Sequence, residues 1–250
     1  MIQLKNSAQL SDMREAGRIT AQALLVARDA IREGISTKEL DTKIRNFIEK
    51  CGAKPSFLGL YGFPGSACIS INDQVIHGIP APDKILHEGD IVKIDVGAFY
   101  KGFHGDSART YPVGKISAEA QQLIDATKLG FERGMDQFRE GNRVGDIGHA
   151  VEACVAEYGY SVVRRYVGHG VGHELHESPD VPNYGTPGRG VRLCKGMVLA
   201  IEPMVNVGTG DVKELSDGWT VLTADHKLSA HYENTVALTD DGPVILTDAE

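Results

Sequence analysis

The chain has no basic tail and no run of Lys or Arg; across 250 residues, 26 basic side chains face 34 acidic ones, for a net charge of −8. Nucleic acid and anionic membranes need clustered positive charge to meet their phosphates, so both are excluded as main partners. No apolar stretch reaches the roughly 18 residues of a membrane span. The opening MIQLKNSAQLSDMREAGRIT lacks the apolar centre of a signal peptide, and the expected location is cytoplasmic. Cysteine is scarce: Cys51, Cys68, Cys154 and Cys194 lie far apart and form no C-x-x-C pair. A disulfide framework and a thiolate zinc site both fall away, leaving reduced thiols. No Pro/Ser-rich linker divides the chain, so residues 1–250 are expected to form a single domain with a shared core.

What is present is a repeat. Helical spacing of Met13, Ala16, Thr20, Leu24, Ala27 and Ile31 predicts a helix from Ser7 to about Glu33, stopped by Gly34. Ser36-Thr37-Lys38-Glu39 is a capping box opening a second helix, with Leu40, Ile44, Phe47, Ile48 and Cys51 on its buried face and Gly52 at its end. After Tyr111 the order restarts. A helix runs from about Ser117 to Phe138, Gly141 interrupts, and a second helix carries Ile147, Val151, Cys154, Val155 and Tyr158 before Gly159. A shift of 107 positions takes Gly34 to Gly141, Leu40 to Ile147, Ile44 to Val151, Gly52 to Gly159, Gly89 to Gly196 and Ile94 to Ile201. It also takes Asp95 to Glu202, so GDIVKID and GMVLAIE are one element written twice. The expected class is α+β: two halves, about 1–111 and 112–250, related by a pseudo-twofold axis, each with antiparallel strands and with helices packed on one face.

IVKIDVGAFYKGFHGDSART, residues 91–110, reads as a strand, a tight turn and a returning strand, with an aspartate inside each. For a turn centred on Tyr100-Lys101, Asp95 stands directly opposite Asp106. Opposed Cβ atoms lie ~5 Å apart, and like charges there destabilise a sheet. Such a pair is tolerable with one carboxyl protonated or with a cation between the two. Glu202 in VLAIEPM and Glu233 in AHYENTVAL add two more acids in strand-like runs, and His169 in YVGHGVGHELHE lies among glycines that permit close backbone approach. Two divalent cations balance four carboxylates; one would leave the cluster negative. Oxygen-rich ligation with one imidazole suits Mn, Fe, Co or Zn. Taken singly, each acid reads as an edge residue or a surface ion-pair partner, and His169 as a hydrogen-bonded structural histidine. The repeat is what joins them. His169, His173 and His176 at helical spacing imitate a zinc-binding helix, yet the interleaved glycines argue against a helix and HELH is one residue short of H-E-x-x-H.

Together IDVGAFYKGFHGDSART, YVGHGVGHELHE, LAIEPM, HYENTV and INDQVIHGIP resemble the type I methionine aminopeptidases of bacteria, over essentially the whole chain. The resemblance implies the pita-bread fold, a single catalytic domain, and removal of N-terminal methionine by water that two divalent ions activate to attack the first peptide bond. It implies that Asp95, Asp106 and Glu233 bind one ion while His169 and Glu202 complete the second, with Asp106 and Glu233 bridging. Glu202 is expected to carry the proton, His176 to meet the developing oxyanion, and His77 to contact the scissile amide. The methionine pocket is expected to comprise Phe57, Leu60, Phe63, Cys68, Leu175 and Trp219; the first three depart from the enterobacterial pattern of cysteine and tyrosines. Asn234 follows Glu233 where many relatives have His, at a position that is not a ligand. Expected partners are N-terminal methionyl peptides and nascent chains, with transient ribosome contact, for a monomeric enzyme.

Two other readings stand beside this one. A pita-bread relative that cuts Xaa-Pro bonds usually carries a separate N-terminal domain, which this chain is expected to lack. A binding module of the same fold has lost its metals, whereas here all five ligand types are intact. The chain is also expected to lack the N-terminal extension of eukaryotic relatives, and it has no room between His176 and Glu233 for the subdomain of type II enzymes.

Overall fold

A computed structural model describes residues 2–248. Among the described residues four α-helices form: α1 (Ser7–Ala30), α2 (Thr37–Lys50), α3 (Ala118–Asp136) and α4 (Val144–Ala156). Each starts where a polar group can satisfy free backbone N–H groups. Asn6 and Ser36 head full capping boxes with Gln9 and Glu39, and Ser117 accepts from the Ala120 N–H. At α4 the Asp146 carboxylate accepts from the backbone N–H of Arg143. The first helix ends at Ala30, three residues before the expected Glu33, because Ile31 is extended. Gly34, the expected stop, lies beyond that end with positive φ, and helix bounds read from a periodic pattern are uncertain by a residue or two.

The 107-residue offset recurs in the backbone bonding. The Gly34 N–H donates to Leu86 O and Gly141 N–H to Leu193 O; Leu86 N–H donates to Ile35 O and Leu193 N–H to Asn142 O. The isolated bridges Ser36↔Ile85 and Arg143↔Arg192 keep the same offset. Gly34, Gly52 and Gly89, like their counterparts Gly141, Gly159 and Gly196, all have positive φ, which is why glycine recurs there.

Each helix pair backs an antiparallel hairpin. In the first half Ile91–Tyr100 pairs with Phe103–Pro112 and, on its other edge, with Ala67–Ile71. The helices α1 and α2 close over this sheet through Ile19, Leu24, Leu40, Ile44, Ile69, Ile94 and Val96, all buried. The second half builds a five-stranded sheet in the order Gly242–Ile245, Asn234–Thr239, Val198–Ile201, Gly168–Gly170, Glu177–Val181. Phe131, Ile147, Leu199, Ile201 and Val236 fill the core between that sheet and its helices.

The turn of the first hairpin corrects the expected register. It lies at Lys101-Gly102, both with positive φ, so Tyr100 pairs with Phe103, Asp95 with Ala108, and Gly97 with Asp106. Two consecutive left-handed residues give the tight turn whose twist matches its strands. Asp95 and Asp106 are therefore diagonal neighbours. A displacement of two positions keeps both on the same face, so the aspartates still converge.

Side chains stitch the halves together behind that face. The Thr235 hydroxyl accepts from the Asp106 N–H and donates to the Asp106 carbonyl, the Ser107 hydroxyl donates to Glu233 O, and the Glu233 N–H donates to Ala108 O. The returning strands of both hairpins lie side by side at the centre of the molecule. No helix among the described residues is long and apolar enough to cross a membrane.

Candidate metal centre

Asp95, Asp106, His169, Glu202 and Glu233 all line one cavity of about 390 Å³, with His77 and His176. The strand alternation that puts Ile94 and Val96 into the helix-backed core turns Asp95 to the opposite face. Asp106 is 3% exposed and Glu233 2%. Ligand atoms of Asp106, His169 and Glu233 lie within 4.8 Å of one another. Burying carboxylates costs several kcal/mol each unless a counter-charge meets them. Among the described residues, no lysine or arginine pairs with any of the four acids, and Oδ1 of both Asp95 and Asp106 is buried without a hydrogen-bond partner.

Proton affinities record the same conflict. Burial drives Asp95, Glu202 and Glu233 well above the usual carboxylate range, and repulsion from Asp106 adds to each. Burial also pushes Asp106 up to about 7. His169 is pushed down to about 3, by burial and then by His176, so its imidazole is neutral. Its Nδ1 lies 2.9 Å from the Gly170 carbonyl. A carbonyl only accepts, so Nδ1 carries the proton and Nε2 is left with a free lone pair. That Nε2 faces Asp106 Oδ2 at 3.7 Å and Glu202 Oε1 at 3.5 Å. Four oxygen donors and one imidazole lone pair, converging and short of positive charge, fit two divalent ions of the Mn, Fe, Co or Zn type.

This arrangement has a consequence for the metal-free protein. An acid whose folded pKa is raised stabilises the fold at low pH and loses that stabilisation as pH rises through the folded value. The buried neutral histidines His77, His169 and His231, pushed down to about 4, 3 and 3, act oppositely, but only below their ordinary 6.5. Lys93, pushed down to about 7 by burial, also opposes the acids, one group against four. From about pH 6.5 to about pH 8.5, EDTA-treated protein should therefore lose several degrees of melting temperature, and added Mn²⁺ should remove the slope. A metal-free melting temperature that is flat or rises over that range would contradict the cluster's ionisation.

The other expected site residues gather at the same place. Phe57, Phe63, Cys68 and Leu175 form a small buried cluster, with Leu60 and Trp219 packed on it, apart from the helix-backed cores. All six also line the cavity. His77 has φ +58 and stands edge-on to Tyr166 and Trp219. His176 sits exposed at the mouth, its ring 4.4 Å from that of His169 and nearly perpendicular. His173 turns elsewhere: Nδ1 donates to Gly102 O and its ring stacks on Phe103. Residues 171–176 form no helix. Tyr61, Tyr166 and Asp180 also line the cavity, and sequence reasoning did not find them. Tyr61, next to Leu60 in the 57–63 segment, and Tyr166, the first residue of YVGHGVGHELHE, stood beside recognised signals.

Known proteins resemble this chain over its full length. It is 53% identical over 250 residues to a methionine aminopeptidase of Clostridium acetobutylicum, covering 100% of both chains. The crystal structure of a methionine aminopeptidase from Thermotoga maritima superposes with a TM-score of 0.97 at 43% identity, covering 99% of this chain and 100% of that one. A prolidase from Pyrococcus furiosus superposes with a TM-score of 0.80 at 25% identity, but there the match covers 99% of this chain and only 66% of the prolidase. A family model described as metallopeptidase family M24 matches residues 11–240. That span takes in both halves of the repeat and every acid and histidine that converges on the cavity, and the chain belongs to metallopeptidase family M24.

Proposed function

We propose that the protein is a methionine aminopeptidase that removes N-terminal methionine from nascent proteins and peptides in the cytoplasm. The observation that carries this reading is the union of two surfaces in one cavity: a cluster of buried carboxylates with a free imidazole lone pair, and beside it an apolar wall built from Phe57, Phe63, Cys68, Leu175 and Trp219. The wall offers an unbranched thioether side chain the contacts that suit it.

Asp95, Asp106 and Glu233 would hold one ion and His169 with Glu202 the other, Asp106 and Glu233 being shared. Bound there, the ions supply a hydrolytic nucleophile at neutral pH and charge stabilisation for the substrate carbonyl. The remaining work falls to side chains. The apolar wall anchors the methionine side chain, which sets the first peptide bond against the acid cluster. Glu202, whose proton affinity burial has raised, accepts the proton of the attacking water and passes it to the leaving nitrogen. A neutral His176 at the mouth donates to the oxygen where charge develops. His77, fixed in a left-handed backbone conformation, meets the scissile amide.

Hydrolysis of Met-Ala-Ser and of Ala-Pro-Ala, each with Mn²⁺, Co²⁺ or EDTA, tests the assignment. The expected result is methionine release from the first peptide with either metal, none with EDTA, and no cleavage of the second. Preferential cleavage of Ala-Pro-Ala would make the protein an Xaa-Pro peptidase. Turnover of neither, without stoichiometric metal, would make it a binding module.

A further inference from the structure

His231 is 1% exposed, and neither of its ring nitrogens has a hydrogen-bond partner. Leaving a buried polar group unpaired destabilises a fold, so an imidazole in this position calls for a reason beyond packing. Its place in the repeat supplies one. In the first hairpin Ile94 pairs with Arg109 and, three residues on, Gly97 pairs with Asp106. In the second Ile201 pairs with Asn234 and, three residues on, Met204 pairs with His231. His231 therefore stands where Asp106 stands in the other half, on the strand opposite Glu202.

Its backbone is fixed from behind. Thr110 clamps the backbone on both sides, its hydroxyl accepting from the His231 N–H and donating to the His231 carbonyl. The ring lies with Nε2 3.6 Å from Glu202 Oε2. The other oxygen, Glu202 Oε1, faces His169 Nε2 at 3.5 Å. The carboxylate is bracketed by two imidazoles, yet they are not equivalent. His169 keeps its proton on Nδ1, bound to the Gly170 carbonyl, and so has nothing to donate to Glu202. Of the two imidazoles, only His231 can offer Glu202 an N–H.

We infer that His231 is a positioning residue: its Nε2–H donates to Glu202 Oε2 and holds that carboxylate with Oε1 directed into the metal centre. At 3.6 Å the contact is slightly long for a hydrogen bond, and such contacts shorten when the acceptor is a carboxylate. Partners that orient ligating carboxylates govern metal affinity as well as turnover. The inference rests on the metal-centre reading of Glu202 and is tested by metal binding itself, apart from catalysis.

Calorimetric titration of metal-free protein with Mn²⁺ compares wild type, His231→Leu and His231→Gln. The leucine variant should bind Mn²⁺ about 10–100-fold more weakly and lose turnover on Met-Ala-Ser, while glutamine, which restores an N–H donor at similar reach, should recover most of both. Leucine binding Mn²⁺ like wild type would overturn the inference, as would a glutamine variant no better than leucine. Failure of wild type itself to bind Mn²⁺ would instead sink the metal-centre reading. Should either variant misfold, histidine ¹⁵N NMR of wild-type protein loaded with Zn²⁺ decides: a proton on Nε2 of His231 supports the role, and an unprotonated Nε2 refutes it.

Discussion

Asp106→Asn should abolish turnover while making the metal-free protein harder to melt. The two effects have one origin. Asp106 is 3% exposed, flanked by Glu233 and His169, and its Oδ1 has no hydrogen-bond partner. In the absence of cations its ionised form is unwelcome, so its carboxyl titrates near 7 instead of 3.8, a penalty of up to about 4 kcal/mol at alkaline pH. An amide of the same shape carries no charge and brings a donor to neighbouring carboxylates. The melting temperature of EDTA-treated Asp106→Asn at about pH 8 should rise by about 5–10 °C over wild type. With Mn²⁺ the order should reverse, because the oxygen ligand proposed to be shared is weakened, and methionine release should fall at least ~10³-fold. Calorimetry of both proteins with and without metal, beside a Met-Ala-Ser assay, gives both signs. An Asn variant that is destabilised without metal would mean that the carboxylate is already compensated by a group on the protein.

His176→Ala should separate chemistry from metal binding. The side chain is exposed at the mouth of the cavity and touches the centre only through the edge of the His169 ring. Removing it costs little packing, so stability should stay within ~0.5 kcal/mol, and Mn²⁺ affinity should stay within about twofold. Turnover should drop by about 10²–10³, the usual cost of losing one donor to a developing oxyanion. The drop should lie in kcat more than in KM, since the interaction matures in the transition state. An alanine variant with full kcat would remove His176 from the reaction.

Much of the centre was legible because carboxylates inside strand patterns are conspicuous. Asp95 and Glu202 stood out through the repeat that relates them, and the glycines it aligned, Gly34 and Gly141, bond to partners that are themselves 107 residues apart. Caps were legible too, since Ser36 and Glu39 are local chemistry acting over one helical turn. The hairpin register was misjudged by two positions. The chain text marks a turn near Lys101, but only the pair of left-handed conformations at Lys101 and Gly102 fixes which residues cross. The error did not displace the aspartates from their shared face, because side chains alternate with a period of two.

The sequence by itself determined which groups are expensive to bury: four acids and a histidine, placed in segments whose apolar neighbours force them inward. Tertiary structure alone decided what each does there. Phe57 and Leu175 are apolar in any reading; only the approach of segments more than a hundred residues apart makes them a cavity wall separate from the core. The tautomer of His169 is set by one carbonyl, and the backbone of His231 beside Glu202 is held by Thr110, 121 residues away. Residue type is written locally, whereas protonation, orientation and mutual distance depend on groups that meet only after the chain has folded.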